Sequence, residues 1–216
     1  TINNSVINII FLDNQHNMWV GTEEGLNLYN RDLDEFFHVP LNELNSKIQV
    51  KAINETEDNA LLIGTHGFGV FKVDKETLLS SNISTNVSNN INSFQINSIE
   101  KTERGSILIG SNSGLLRYNS LNNTINHAKF STLTGSDIID TPIQTILTKN
   151  DGSIWLGTVS DGLIEILTTP TNYYEFKFHP ITNKRVLALE TDLKGAIFCG
   201  TENDGLFILG NDKKLN

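Results

Sequence analysis

The strongest constraint on this chain is a phrase it writes five times: an apolar run, Gly-Thr or Gly-Ser, a short polar loop with a second glycine, and another apolar run. The copies are NMWVGTEEGLNLY from Asn17, ALLIGTHGFGVFKV from Ala60, SILIGSNSGLLRY from Ser106, SIWLGTVSDGLIEI from Ser153 and AIFCGTENDGLFIL from Ala196. The first glycines, Gly21, Gly64, Gly110, Gly157 and Gly200, are 43, 46, 47 and 43 residues apart. A period in the forties with strand-like content predicts propeller blades of four strands. Helical repeats of that length would show apolar residues every three or four positions, and no stretch here does.

Upstream of each phrase lies a further apolar run: VINIIFL (6–12), IQVKAI (48–53), FQINSI (94–99), PIQTIL (142–147) and RVLALE (185–190). The intervening DNQHN, ETEDN, TERGS, NDGS and LKGA are rich in Asp, Asn and Gly, which tolerate positive φ, so each unit opens on a hairpin. A third strand follows the second glycine. A fourth, more polar strand is expected at Glu35–Val39, Ile125–Phe130 and Tyr173–Phe178, and is only faintly written near Leu78–Ser84. Blade units of roughly 1–44, 45–92, 93–139, 140–182 and 183–216 follow. The fifth stops before an outer strand, so the expectation is an incomplete ring cut from a longer protein, with an exposed edge or face that favours association. The fold class is all-β.

In this reading the phrase is structural first. The apolar residues before the first glycine face a neighbouring blade, the glycine lets that neighbour approach, and the second glycine permits the turn. Blades with two sticky faces are stable only as an array.

With 38% hydrophobic and 19% charged residues the 216-residue chain has the balance of a globular protein. Its net charge of −9 argues against a nucleic-acid partner, which requires a concentrated Lys/Arg surface. A single cysteine, Cys199, excludes an internal disulfide and a thiolate metal cluster. Its place is held by Val20, Ile63, Ile109 and Leu156 in the other copies, which predicts a small buried hydrophobe. No run of about 18 apolar residues is present.

The pattern hydrophobic-Trp-hydrophobic-Gly-Thr, polar residues, Gly-Leu and an aromatic, preceded by a strand and a turn such as NDGS, resembles the two-component regulator propeller repeat. NMWVGTEEGLNLYN and GSIWLGTVSDGLIEI are close matches, and the other three copies lack the Trp. The resemblance extends over all five units. It implies the periplasmic sensor region of a hybrid two-component histidine kinase, a propeller that senses oligosaccharides and whose membrane helix, kinase and regulator domains lie elsewhere in the chain.

No catalytic arrangement, metal set or cofactor motif is written here. His16, His38, His66, His127 and His179 are scattered over turns and outer strands without metal-ligand spacing. HGFG has no following helix or Lys-Ser/Thr to make a phosphate loop. NDGS and DNQHN lack the carboxylate series of a calcium loop. The loops after Gly-Thr carry varied polar residues while their flanks stay nearly fixed, so recognition is expected on that face. Glu24, His66, Asp161 and Asp204 are the expected ligand contacts, with Lys47 and Arg185 from the adjoining connectors. The expected partners are an oligosaccharide or other small ligand and other propellers or domains of the same parent protein; a homodimer is one expected form. Two other functions compete: an interaction scaffold, and a propeller lyase or glycoside hydrolase, which would need paired carboxylates in a pocket.

Overall fold

The computed structural model describes residues 1–41, 47–85, 95–133, 135–170 and 172–210. Among them there is strand and turn but no helix. The first sheet runs β1 (Ile7–Leu12), β2 (Met18–Thr22), β3 (Gly25–Asn30), β4 (Glu35–Val39) in that order, and the second runs β5 (Val50–Glu55), β6 (Ala60–Thr65), β7 (Val70–Asp74), β8 (Ser80–Asn82). After the two-residue β9 (Ser84–Thr85), the third is β10 (Ile96–Lys101), β11 (Ile107–Ser111), β12 (Gly114–Asn119), β13 (Thr124–His127), with β9 added parallel to β13. A ribbon of β14 (Lys129–Thr132) and β15 (Gly135–Ile138) follows. The fourth sheet is β16 (Ile143–Thr148), β17 (Ile154–Thr158), β18 (Leu163–Thr168), β19 (Tyr174–His179). The fifth is β20 (Val186–Thr191), β21 (Ile197–Thr201), β22 (Gly205–Leu209), and residues 211–216 lie outside the described residues.

The expected strands at Glu35–Val39 and Tyr173–Phe178 are present as β4 and β19. The faint one near Leu78–Ser84 is the three-residue β8. The strand expected over Ile125–Phe130 is broken at Ala128, whose N–H bonds the Leu115 carbonyl at 3.0 Å. The break turns Phe130 into a core, where it is 1% exposed and packs edge-on against Tyr174 and Phe176. Burial of an aromatic ring outweighs continuation of a polar ladder.

Two compact units are distinguished: Thr1–Ile99 with Tyr118–Asn126, and Glu100–Arg117 with His127–Asn216. Strands of the third sheet contribute to both. In the first unit the core gathers Trp19, Leu26, Val50, Ile63 and Phe71. In the second, one cluster gathers Leu108, Leu115, Phe130, Ile143 and Leu156, and another gathers Trp155, Leu163, Val186 and Cys199. The residues before the first glycine are buried as expected: Trp19, Leu62 and Leu108 at 0% exposure and Trp155 at 2%.

In three of the five copies the first glycine acts as read from sequence. A Cβ at Gly21 would sit 2.5 Å from Val50 Cγ1, at Gly64 2.5 Å from Ile96 Cγ2, and at Gly157 2.6 Å from Val186 Cγ1. Each contact is with the opening residue of the next sheet's first strand. Val50 and Val186 are presented by a β-bulge, because register shifts between Val50 and Ala52 and between Val186 and Ala188. A bulge re-aims a side chain, here into the glycine of the preceding sheet.

Candidate functional site

The loops of the repeated phrase are built by one hydrogen-bond scheme. The hydroxyls of Thr22, Thr65, Ser111, Thr158 and Thr201 are buried and donate to the carbonyls of Gly25, Gly69, Gly114, Gly162 and Gly205 at 3.2, 2.7, 2.9, 3.0 and 2.8 Å. The next N–H crosses to the connector that enters the sheet: Glu23 to Val6 O, His66 to Gln49 O, Val159 to Pro142 O and Glu202 to Arg185 O, at 2.9–3.2 Å. Gly162 has φ +73° and a Cβ there would meet His179 O at 2.4 Å, so both conformation and space demand glycine. Backbone and a buried hydroxyl thus hold each loop, whatever side chains follow Gly-Thr.

Of the six residues expected to bind a ligand, the structure brings Glu24 and Lys47 into contact, at 2.5 Å. The hydrogen bond from Lys47 holds the exposed Glu24 carboxyl below the usual range. His66 forms a bridge with Gln95, whose amide lies 3.3 Å from Nε2 of the ring. Asp161 accepts from the Thr141 hydroxyl at 2.8 Å, Asp204 accepts from the Thr182 hydroxyl at 2.5 Å, and Arg185 is exposed. Glu24, Lys47 and His66 belong to the first unit, and Asp161, Asp204 and Arg185 to the second.

A concave site lies elsewhere, wholly within the second unit. It is a pocket of about 310 Å³ between the hairpin turns 102–106 and 149–153, walled by Arg117, Phe130, Ile154 and Tyr174. These turns sit at the opposite ends of β11 and β17 from the Gly-Thr loops, roughly 16 Å away along a five-residue strand. The turns are rigid. Thr102 N–H bonds Ser106 O at 2.8 Å and Lys149 N–H bonds Ser153 O at 3.0 Å. Burial raises the Asp151 pKa, but hydrogen bonds from Ser153 and the charge of Lys149 outweigh it and hold the carboxyl below its ordinary value. Asp151 is therefore an acceptor and counter-ion.

Arg117 reaches this pocket from β12 with its guanidinium carbon 5.5 Å above the centre of the Phe130 ring. Phe130 meets Tyr174 edge-on, centroids 5.0 Å apart at 78°. Sequence reading passed over these residues, treating TERGS and NDGS as turns only. The available signal was the charge of Arg117 inside an otherwise apolar third strand.

His179 lies on the outer strand β19 as expected, but with its side chain largely buried. Its ring stacks on Trp155 at 5.1 Å and 26°, and its Nε2 lies 3.2 Å from a carboxylate oxygen of the buried Glu165. Cys199 is fully buried, and desolvation raises its thiol to about 11, the inert hydrophobe expected. Among the described residues no group of three or more His, Cys, Asp or Glu side chains is placed to hold a metal ion.

Residues 1–24 match the model of the two component regulator propeller. Histidine kinase P4 of Formosa agariphila is 26% identical over 193 residues, which cover 83% of this chain and 14% of the relative. This chain thus spans about a seventh of that protein. Among solved structures, the extracellular domain described as a hybrid two component system of B. thetaiotaomicron superposes with a TM-score of 0.56 at 20% identity, over 97% of this chain and 34% of that one. Virginiamycin B lyase from Staphylococcus aureus superposes at 0.68 with 9% identity, over 99% and 70%. The chain has the β-propeller fold, and its residues 1–24 are similar to the two-component regulator propeller repeat.

Proposed function

We propose that this chain is an extracytoplasmic sensor segment of a two-component signalling protein, located in the periplasm, that recognises a carbohydrate-like ligand without transforming it. The observation that carries the reading is the 310 Å³ pocket with an aromatic wall and a polar rim on rigid hairpin turns. Pockets that bury sugars and other small ligands combine apolar surface with a few fixed polar groups in this way. The propeller-repeat match and the similarity to a histidine kinase favour signalling over other uses of the fold.

The competing enzymatic reading draws on the fold-level likeness to a lyase. A fold does not carry an activity with it. The pocket's two carboxylates are Glu103, which is exposed, and Asp151, whose pKa is lowered. General acid catalysis needs a carboxyl raised toward neutral pH, and Asp151 is shifted the other way. The test is a glycan array probed with the chain, followed by chromatography of every bound glycan after incubation. Retention of one glycan class, recovered intact, is expected. Cleavage of the bound glycan would replace sensing by catalysis, and a blank array would remove the carbohydrate reading.

A further inference from the structure

Resting on the ligand-sensing reading above, we propose that the pocket between turns 102–106 and 149–153 selects an anionic sugar, a pyranose ring bearing a carboxylate. The whole chain carries a net charge of −9, yet this pocket is lined by three cations, Arg104, Arg117 and Lys149, against two carboxylates, Glu103 and Asp151. Lys149 is already engaged: its ammonium lies 3.5 Å from Asp151 and donates to the Gly195 carbonyl at 3.3 Å. That leaves Arg104 and Arg117 as the two further cations of the lining.

Arg117 is the anchor. Its Nε is buried from solvent and has no hydrogen-bond partner among the described residues. A buried donor without an acceptor is unfavourable, so the side chain is held here at a cost; the residue as a whole is half-buried, and it is the terminal NH₂ groups, not Nε, that a ligand would meet. The guanidinium is held on the Phe130 ring, itself fixed edge-on by Tyr174 and by Phe176. A guanidinium's planar fork of donors fits a carboxylate through two parallel bonds. Tyr174 lines the pocket beside it, and Thr102 and Ser106 bring hydroxyls to the wall for a polyol. A volume of 310 Å³ stands at the small end of the ~300–1,000 Å³ range of ligand pockets, suited to one or two sugar rings.

The experiment is calorimetric titration of the chain with digalacturonic acid and with its methyl ester, the same rings without the charge. The acid binds, the ester binds roughly tenfold more weakly or worse, Arg117→Gln reproduces that loss with the acid, and Asp161→Ala at the opposite strand end changes nothing. Arg104→Gln, on an exposed turn, weakens the acid severalfold and decides the matter if Arg117→Gln fails to fold. Equal affinity for acid and ester overturns the charge selection while leaving sugar sensing intact. Full competition by inorganic sulfate at the affinity of the acid overturns the sugar part. No heat from either disaccharide, with only neutral glycans retained on the array, overturns this proposal alone. A blank array overturns the sensing reading beneath it.

Discussion

At the scale of single residues, the repeated phrase separates two kinds of glycine. Gly157 is a socket for Val186, so Gly157→Ala forces an overlap that the packed strands must absorb. A cost of about 1–3 kcal/mol is expected for such overpacking. Gly200 holds the same place in the fifth copy, but a Cβ there would meet nothing nearer than Ala188 at 3.9 Å. Gly200→Ala is therefore expected to leave stability within about 0.5 kcal/mol of the parent. Urea unfolding of the two variants checks the pair; equal losses would show that the glycine is kept for backbone conformation, not for the neighbour's side chain. The hydroxyl residue after each first glycine, threonine in four copies and Ser111 in the third, is equally legible in retrospect, since its hydroxyl spans the loop to the glycine that closes it in all five copies.

At the scale of elements, the hairpins and the fourth strands at β4 and β19 could be read from alternation and turn chemistry because both are local. What could not be read depends on contacts distant in sequence. The break at Ala128 exists because Phe130 finds Tyr174 and Phe176 more than forty residues on, and β9 joins β13 only after β10, β11 and β12 have intervened in the chain. The same holds for the turn after β1. Its Asp13 carboxylate accepts from Asn17 and from Trp19 Nε1 at 3.1 Å, and lies 3.4 Å from the Lys75 ammonium, which also pairs with Glu55. The Asp13 and Lys75 side chains are 0% and 2% exposed. Burial raises the Asp13 pKa, yet the hydrogen bonds from Asn17 and Trp19 and the charge of Lys75 prevail and lower it below 3.8. Asp13→Ala leaves Lys75 its pairing with Glu55 but strands the buried Trp19 Nε1–H and the Asn17 N–H without an acceptor, so it is expected to cost about 1–3 kcal/mol at neutral pH. A depressed carboxyl stabilises the folded state fully above its unfolded pKa and loses that contribution as pH falls through the folded value. The gap between variant and parent should narrow in the same acid window. Thermal melts across pH measure it, and a gap constant down to the acid limit would mean that packing, not charge, is at work.

At the scale of the molecule, the all-β class and the repeat are written in the sequence because every copy repeats the same packing problem. The candidate site is not, because its wall is assembled from β12, β14, β19 and two hairpin turns, each ordinary by itself. Reasoning from variable loops leads to Glu24, His66, Asp161 and Asp204 at one end of the strands, while the pocket lies at the other end. The two ends make opposite demands on one measurement: hydrogen exchange of the chain with and without the glycan retained on the array, read peptide by peptide. Ligand-dependent slowing at 102–106 and 149–153, with the loops 22–25, 65–69, 158–162 and 201–205 unchanged, is the result predicted for sensing at the pocket. Slowing confined to those four loops, with the hairpin turns unaffected, would contradict it.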